Sequence, residues 1–342
     1  MSHRPIGVAA LVTPWNFPAA MVTRKVGPAL AAGCTAVLKP AEQTPLTALL
    51  LADLLREAGL PDGALGVVTT SRAAPVVDAL LGHPAVRMLS FTGSTEVGKL
   101  LLRRSADRVL RTAMELGGNA PFLVLEGSDV EAALDGAMVA KMRGGGQACT
   151  AANRFYVHRS LAEAFSAGLA ERMGAVVVGR GSDPATGCGP LVDTAAVDKA
   201  ARLVDDAVTR GARLLLGGER PDGPGCFYPP TVLTDVPDGA AVLAEEVFAP
   251  VAPVVVVDDD EQAVALANDT EHGLVAYVYA GELGRALRVA ERLEAGMVAV
   301  NRGLVSDPAA PFGGTKESGL GREGSAEGLL EYLETTYTAV DW

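Results

Sequence analysis

Cys149 stands in the segment RGGGQACTAANR (143–154), where several glycines precede it and no apolar helix stripe encloses it. A thiolate is a nucleophile and glycines let backbone approach a ligand closely, so the position suits covalent chemistry on an electrophilic carbon. The alternative is a small buried hydrophobe, the commoner state of a lone cysteine. Upstream, MELGGN (114–119) sets Glu115 at the end of a short apolar run beside a Gly-Gly turn. A carboxyl partly desolvated there has a raised pKa and can serve as a general base; without Cys149 the bland reading, a solvated strand-end glutamate, would win. In WNFP (15–18), Asn16 follows an apolar run and carries an amide that can donate to a developing oxyanion, or is simply a turn residue. In FTGSTEVG (91–98) a strand ends at Gly93 and Ser94, where a helix starts at once. Its free N–H groups suit a pyrophosphate, and an ordinary serine-capped helix fits the same residues.

These four segments need elements to hold them. Strands are expected at 6–14, 35–40, 65–70 and 86–93, with helices over 19–32, 45–58 and 74–81 and from Ser94. This alternation implies a parallel sheet covered on both faces, whose ligands sit beyond the carboxyl ends of the strands. A second α/β series begins near Pro121, with strands at 122–125, 155–157, 253–258, 274–280 and 297–300. Its helices fall at 129–141, 161–173, 196–210, 260–268 and 283–292, and residues 332–340 read as an extended terminal strand. The chain has 342 residues, 49% of them hydrophobic, which fits two domains with sizeable cores.

Several functions are excluded. GSTEVGKL (93–100) nearly matches a phosphate loop but has Leu100 where the magnesium-holding hydroxyl belongs. GLGREG (319–324) matches a dinucleotide fingerprint in letters only; it does not follow a buried strand and reads as a tight loop. Lys and Arg number 29 against 41 Asp and Glu, a net charge of −12, so broad binding to nucleic acid or an anionic membrane is not expected. The longest apolar stretch, Phe248 to Val257, is interrupted by prolines and is too short to span a bilayer. Apolar residues 6–12 follow Arg4 but lead to no small-residue cleavage site, so they read as a strand and not as a signal peptide. The four cysteines (34, 149, 188, 226) and four histidines make no metal-binding spacing, and a reducing cytoplasm is the expected compartment.

Taken in order, TPWNFP, KPAE, FTGSTEVG, MELGGN, GQACT, EEVFAPV and PFGGTKESGLGRE resemble the aldehyde dehydrogenase superfamily along essentially the whole chain. Within it, AMVTRKVGPALAAGCTAVLKPAEQTP, GGNAPF and SGLGREG look most like the succinate-semialdehyde dehydrogenases. The resemblance implies an α/β fold: a Rossmann-like NAD-binding domain over 1–117, a second α/β catalytic domain over 118–317, and a C-terminal segment, 318–342, with a terminal oligomerisation strand. It implies that Cys149 attacks an aldehyde carbonyl, Asn16 holds the oxyanion with the Cys149 N–H, and Glu115 activates the hydrolytic water. Trp15, Lys39, Glu42, Gly93, Ser94, Glu246 and Phe248 would hold NAD, with NADP as the alternative. Glu42, near the ribose hydroxyls, would disfavour a 2′-phosphate. Arg24, Arg143 and Ser306 would bind the distal carboxylate of a semialdehyde, since a guanidinium fork fits that group. Read without the resemblance, Arg24 is a helix-surface charge.

The implied substrate is succinic semialdehyde. Glutarate semialdehyde or another aldehyde is the enzymatic alternative, and a non-catalytic fragment that binds nucleotide or a partner is the alternative of another class. No metal, nucleic acid or membrane is implied; a homo-oligomer is, provided that the missing N-terminal segment does not prevent it. Three departures stand out. Family members carry a long segment before the first nucleotide-binding strand, and this chain begins almost at that strand, so an incomplete cofactor domain with exposed apolar surface is expected. Ala249 stands where the family usually has glycine. Some members have a second cysteine two residues after the nucleophile; here that residue is Ala151, so that disulfide cannot form.

Overall fold

The alternation in the first third of the chain becomes a six-stranded sheet in the computed structural model, which describes residues 1–342. After a short exposed strand, β1 (Ser2–Pro5), come β2 (Val8–Val12), α1 (Pro18–Ala31), β3 (Thr35–Lys39), α2 (Pro45–Glu57) and β4 (Leu65–Val67). Then follow α3 (Ala73–Gly82), β5 (Val86–Thr92), α4 (Thr95–Ala106) and β6 (Arg111–Glu115). The side-chain period of two sorts β2 between two cores. Ala9 and Leu11 pack with Val22, Val26 and Ala29 of α1, and Ala10 and Val12 pack with Val77, Leu81 and Leu101 of α3 and α4. Strands run in the order β6-β5-β2-β3-β4, all parallel, with Gly319–Leu320 added antiparallel to β6. The chain leaves β2 toward β3 on one side and returns with β5 on the other. The carboxyl ends of β2 and β5 therefore flank the crevice where such sheets bind ligands.

Residues Met1–Leu116 with Ser306–Trp342 make one compact unit, and Gly117–Val305 make the other. The chain enters the second unit at Gly117 and returns to the first at Ser306. One backbone bond ties the returning segment to β6, and another pair closes the segment on itself. Leu116 N–H donates to the Ser318 carbonyl at 3.0 Å, and Phe312 and Glu323 exchange both of their N–H···O bonds at 2.7 Å. The terminal strand expected at 332–340 shortens to Leu333–Thr336. It pairs antiparallel with β1 of its own chain, which supplies the open edge.

The second unit contains β7 (Ala120–Val124), α5 (Val130–Met142), β8 (Ala152–His158), α6 (Ala162–Gly174), α7 (Thr194–Thr209), β9 (Arg213–Leu216), β10 (Thr231–Thr234) and β11 (Val251–Val257). With Val275–Tyr279 and Met297–Val300 these strands form a seven-stranded sheet in which only β9 is antiparallel. β9 and β10 carry no clear apolar alternation and were not anticipated. Helices α5 and α6 cover one face and α7 the other. Arg154, 1% exposed on β8, donates to the carbonyls of Asn119, Leu266 and Ala267 and so ties the 117–119 turn to the end of the helix Asp260–Asn268. No helix is long and apolar enough to cross a membrane.

Candidate active site

In the first unit, a cleft of about 490 Å³ opens at the carboxyl ends of β2, β3 and β5. Trp15, Lys39, Glu42, Gly93 and Ser94 line it together with Arg104 of α4. Lys39, 4% exposed, holds Glu42 at 3.2 Å, and Glu42 is about half exposed. Hydrogen bonding to its own backbone, with a lesser contribution from Lys39, holds the Glu42 carboxyl below the usual carboxylate range against the opposing effect of burial. Ser94 is the N-cap of α4, its hydroxyl accepting from Val97 N–H at 3.4 Å. Both readings of this motif thus meet in one place: a capped helix start that lines a cleft at the switch point. A side chain at Gly93 would run into the Phe91 ring, 2.4 Å from its Cβ position. A larger cleft, about 630 Å³, lies near the opposite strand ends, where Val8 and Val86 begin β2 and β5. Sheets of this class do not bind cofactors at that end.

GLGREG is not simply the expected tight loop: its first two residues, Gly319–Leu320, form a short strand on the edge of β6. Gly319 pairs with Glu115 across the sheet edge, where a Cβ would sit 2.0 Å from the Met114 carbonyl. The loop closes over Glu115, which is 4% exposed and so is not a solvated strand-end residue. Burial pushes the Glu115 carboxyl well above its ordinary range. The neighbouring Glu323 charge pushes the same way, and Lys25, Arg322 and Arg24 oppose. One oxygen of Glu115 and one of Glu323 are buried without a hydrogen-bond partner. The other Glu323 oxygen accepts from Lys25 Nζ at 2.5 Å, and Lys25 also donates to Ser90 Oγ at 2.9 Å. Lys25 and Glu323 were missed in the sequence. The signal was there for Lys25: it falls among Met21, Val22, Val26 and Ala29 on the buried stripe of α1, where a charge needs a reason.

Asn16 is half-buried in the turn between β2 and α1. Arg24, on α1, is no free surface charge: its guanidinium carbon lies 4.3 Å from the centroid of the Phe312 ring, a cation–π stack. Phe312 was not singled out in the sequence. Ser306 is half-buried in the loop that re-enters the first unit.

In the second unit, α5 ends at Met142 and the chain turns through Arg143–Gly146. Gly144, Gly145 and Gly146 all have left-handed backbone (φ 63, 65 and 76), a sequence of conformations that only glycine adopts without strain. This turn leaves Arg143 exposed and Cys149 half-buried, so the sulfur is not walled into the core. The loop is fastened by its neighbours. Tyr277 Oη donates to the Thr150 carbonyl at 2.8 Å, and Gln147 Oε1 accepts from Val192 N–H at 2.9 Å. Gly118 packs against the Cys149 carbonyl, 2.4 Å from where a Cβ would stand, which explains a glycine in MELGGN. Gly118 N–H donates to Glu246 Oε1 at 3.0 Å. Burial raises the Glu246 carboxyl, and that bond and Lys199 oppose the rise. Phe248 follows with left-handed backbone (φ 54), a strained state for a bulky residue. Ala249, the departure from glycine, is fully buried with its carbonyl against Gly146, and the fold accommodates its methyl group.

The chain matches the aldehyde dehydrogenase family over residues 1–338. It belongs to that family. It is accordingly an NAD(P)-dependent oxidoreductase that acts on aldehydes. It is 54% identical over 340 residues to a succinate-semialdehyde dehydrogenase of Paenarthrobacter nicotinovorans, covering 99% of this chain and 76% of that one. It is 50% identical to a glutarate-semialdehyde dehydrogenase of Pseudomonas putida, covering 98% and 70% respectively. The crystal structure of an NADP-dependent enzyme of E. coli superposes with a TM-score of 0.95 at 50% identity, over 97% of this chain and 69% of that one.

Proposed function

We propose that this aldehyde dehydrogenase oxidises a semialdehyde with a distal carboxylate, succinic semialdehyde foremost, and prefers NAD. The carrying observation is the loop 143–149, which presents an exposed guanidinium and an accessible thiol from one glycine turn. Arg24, braced on the Phe312 ring, is the second cation for the carboxylate, and Ser306 a hydrogen-bond donor to it.

The Cys149 thiolate adds to the aldehyde carbon, and its oxyanion takes hydrogen bonds from the Asn16 amide and the Cys149 N–H. The cleft with Lys39, Glu42 and the α4 N-terminus fits a dinucleotide, which Glu246 and Phe248 would help to hold; when bound it would supply the acceptor for the hydride that leaves the substrate carbon. Glu115 takes a proton from water, whose oxygen attacks the resulting thioester, and the carboxylic acid leaves as the Cys149 sulfur is released. A buried carboxyl with a raised pKa is a stronger base than an exposed one, which suits this task. Arg143→Ala and Arg24→Ala should each raise KM for succinic semialdehyde by one to two orders of magnitude, roughly the 1.5–3 kcal/mol of a charge-assisted bond. Neither should change KM for propanal. Equal losses on both aldehydes would reject the carboxylate site.

The Pseudomonas putida relative also supports glutarate semialdehyde, one methylene longer. A methylene is worth about 1–3 kcal/mol in a pocket, so the ratio of kcat/KM for the two semialdehydes decides between them.

A further inference from the structure

The loop that carries Arg143 and Cys149 is closed at its base by two buried polar side chains that no step above uses. Lys141 lies in the last turn of α5 and Asn153 is the second residue of β8. They are 0% and 2% exposed. Lys141 Nζ donates to Asn153 Oδ1 at 3.0 Å, which joins the two ends of the segment 142–152 side chain to side chain. No carboxylate faces the lysine: burial alone acts on its amine and pushes it down to about 7.

Such a lysine is costly for a fold that needs only packing. Lys141 continues the buried stripe of Leu134 and Ala137 on α5, where methionine or leucine would fill similar volume without the desolvation penalty. The segment it spans needs an external brace. Its three left-handed glycines have no side chains of their own to hold the turn, and glycine is the least restrained backbone. Gln147 fastens the glycine turn to itself at Gly144 and to the chain at Pro190 and Val192, and Tyr277 fastens it at Thr150. The Lys141–Asn153 bond is the fastening at the point where the chain leaves α5 and enters β8.

We propose that Lys141 and Asn153 are a positioning pair: a buried clasp that fixes the direction in which the loop aims Arg143 and the Cys149 sulfur. This rests on the reading of Cys149 as nucleophile and Arg143 as carboxylate partner. Neither member of the clasp touches substrate. Its loss misaligns both groups together, lowering kcat for every aldehyde and raising KM only for aldehydes that carry a carboxylate.

The test compares wild type with Lys141→Met, Asn153→Leu and Asn153→Asp in the full chain, with kcat and KM measured on succinic semialdehyde and propanal. Thermal midpoint and folded fraction are measured alongside. A misplacement on the scale of 1 Å can reduce rate up to about a hundredfold, so Lys141→Met and Asn153→Leu should lose at least about tenfold in kcat on both aldehydes and rise about tenfold in KM for the semialdehyde alone. Asn153→Asp, which keeps an acceptor for the lysine, should stay within about threefold of wild type on the same scale. Should Lys141→Met not accumulate as folded protein, Asn153→Ser, which keeps the lysine and shortens its acceptor, carries the same outcomes. Kinetics unchanged per folded molecule in the variants, or Asn153→Asp as impaired as Asn153→Leu, would overturn the clasp. A separate control tests the underlying reading. Iodoacetamide modification of wild type, mapped to Cys149 by mass spectrometry, should abolish turnover; survival of turnover after full modification would sink the nucleophile assignment independently of the clasp.

Discussion

Lys25 and Lys141 are the same side chain in the same local setting, each fully buried on the apolar stripe of a helix, yet their surroundings differ. Lys25, in the first unit, meets the Glu323 carboxylate and the Ser90 hydroxyl. Lys141, in the second, meets only the amide oxygen of Asn153. The first is half of an ion pair placed within electrostatic reach of the proposed base, Glu115. The second is a hydrogen-bond donor whose charge nothing offsets. A buried cation with a carboxylate holds charge at a site; one without holds geometry and carries its charge as a burden.

Breaking the first arrangement should have the largest effect. Lys25→Met leaves the Glu323 carboxylate buried without its partner, and breaking such a pair costs about 3–5 kcal/mol. Chemical denaturation at neutral pH should show this loss, and Lys25→Met/Glu323→Leu should recover much of it because both charges are gone. Activity should report the same lysine separately. Lys25 is one of the charges that oppose the rise of the Glu115 carboxyl, so in Lys25→Met the acid limb of the kcat profile should move to higher pH. The limb reports a base that must lose its proton to act, and a limb that stays in place in the folded variant would separate Lys25 from Glu115.

For Lys141 the sign is opposite. Its folded amine titrates at about 7 against 10.5 for the unperturbed group. Between these values the unfolded chain binds more protons, so the lysine makes stability rise with pH, by up to about 1.4 kcal/mol per pH unit for one proton. Wild type minus Lys141→Met, measured by denaturation at pH 7, 8.5 and 10, isolates this slope. Equal pH dependence in both proteins would mean that the amine is not desolvated, and the contrast with Lys25 would fall.

Much of this molecule was legible before any coordinates. The helices 18–31, 45–57 and 130–142 follow from apolar spacing and end within a residue or two of the expected positions. The succession of β2 to β5 along the chain follows from short apolar runs alternating with helical patterns. Gly93 and Ser94 drew attention as a strand end followed by a helix start, whereas Trp15, Lys39 and Glu42 were named only by the resemblance; all five line one cleft of the first unit. What escaped detection depends on long-range pairing. The terminal strand was expected, but β1 and its pairing with Leu333–Thr336, from the opposite end of the chain, were not. The returning segment is tied to β6 by the bond of Leu116 to Ser318 and the pairing of Gly319 with Glu115. Lys25 and Phe312 lie within segments that carry the resemblance, but neither they nor Lys141 were given a role; only their burial and their partners mark them, although a lysine on an apolar stripe is a warning that sequence alone can raise.

Lys39 completes the comparison and gives its smallest expected effect. It is nearly as buried as the other two, but its partner, Glu42, is half in solvent. Screening should therefore make the pair worth less than about 1 kcal/mol, so Glu42→Gln should leave stability almost unchanged. Its effect should be on cofactor choice. In the cleft of the first unit the Glu42 carboxylate stands as an acceptor suited to ribose hydroxyls and as a like charge to a 2′-phosphate. Removing its charge while Lys39 stays should raise kcat/KM for NADP and lower it for NAD, with the ratio changing by about tenfold, equivalent to about 1.4 kcal/mol. Wild type should favour NAD. If wild type instead favours NADP, Lys39 and Arg104 rather than Glu42 set the field at that end of the cleft, and the exposed member of this buried–exposed pair has no part in discrimination.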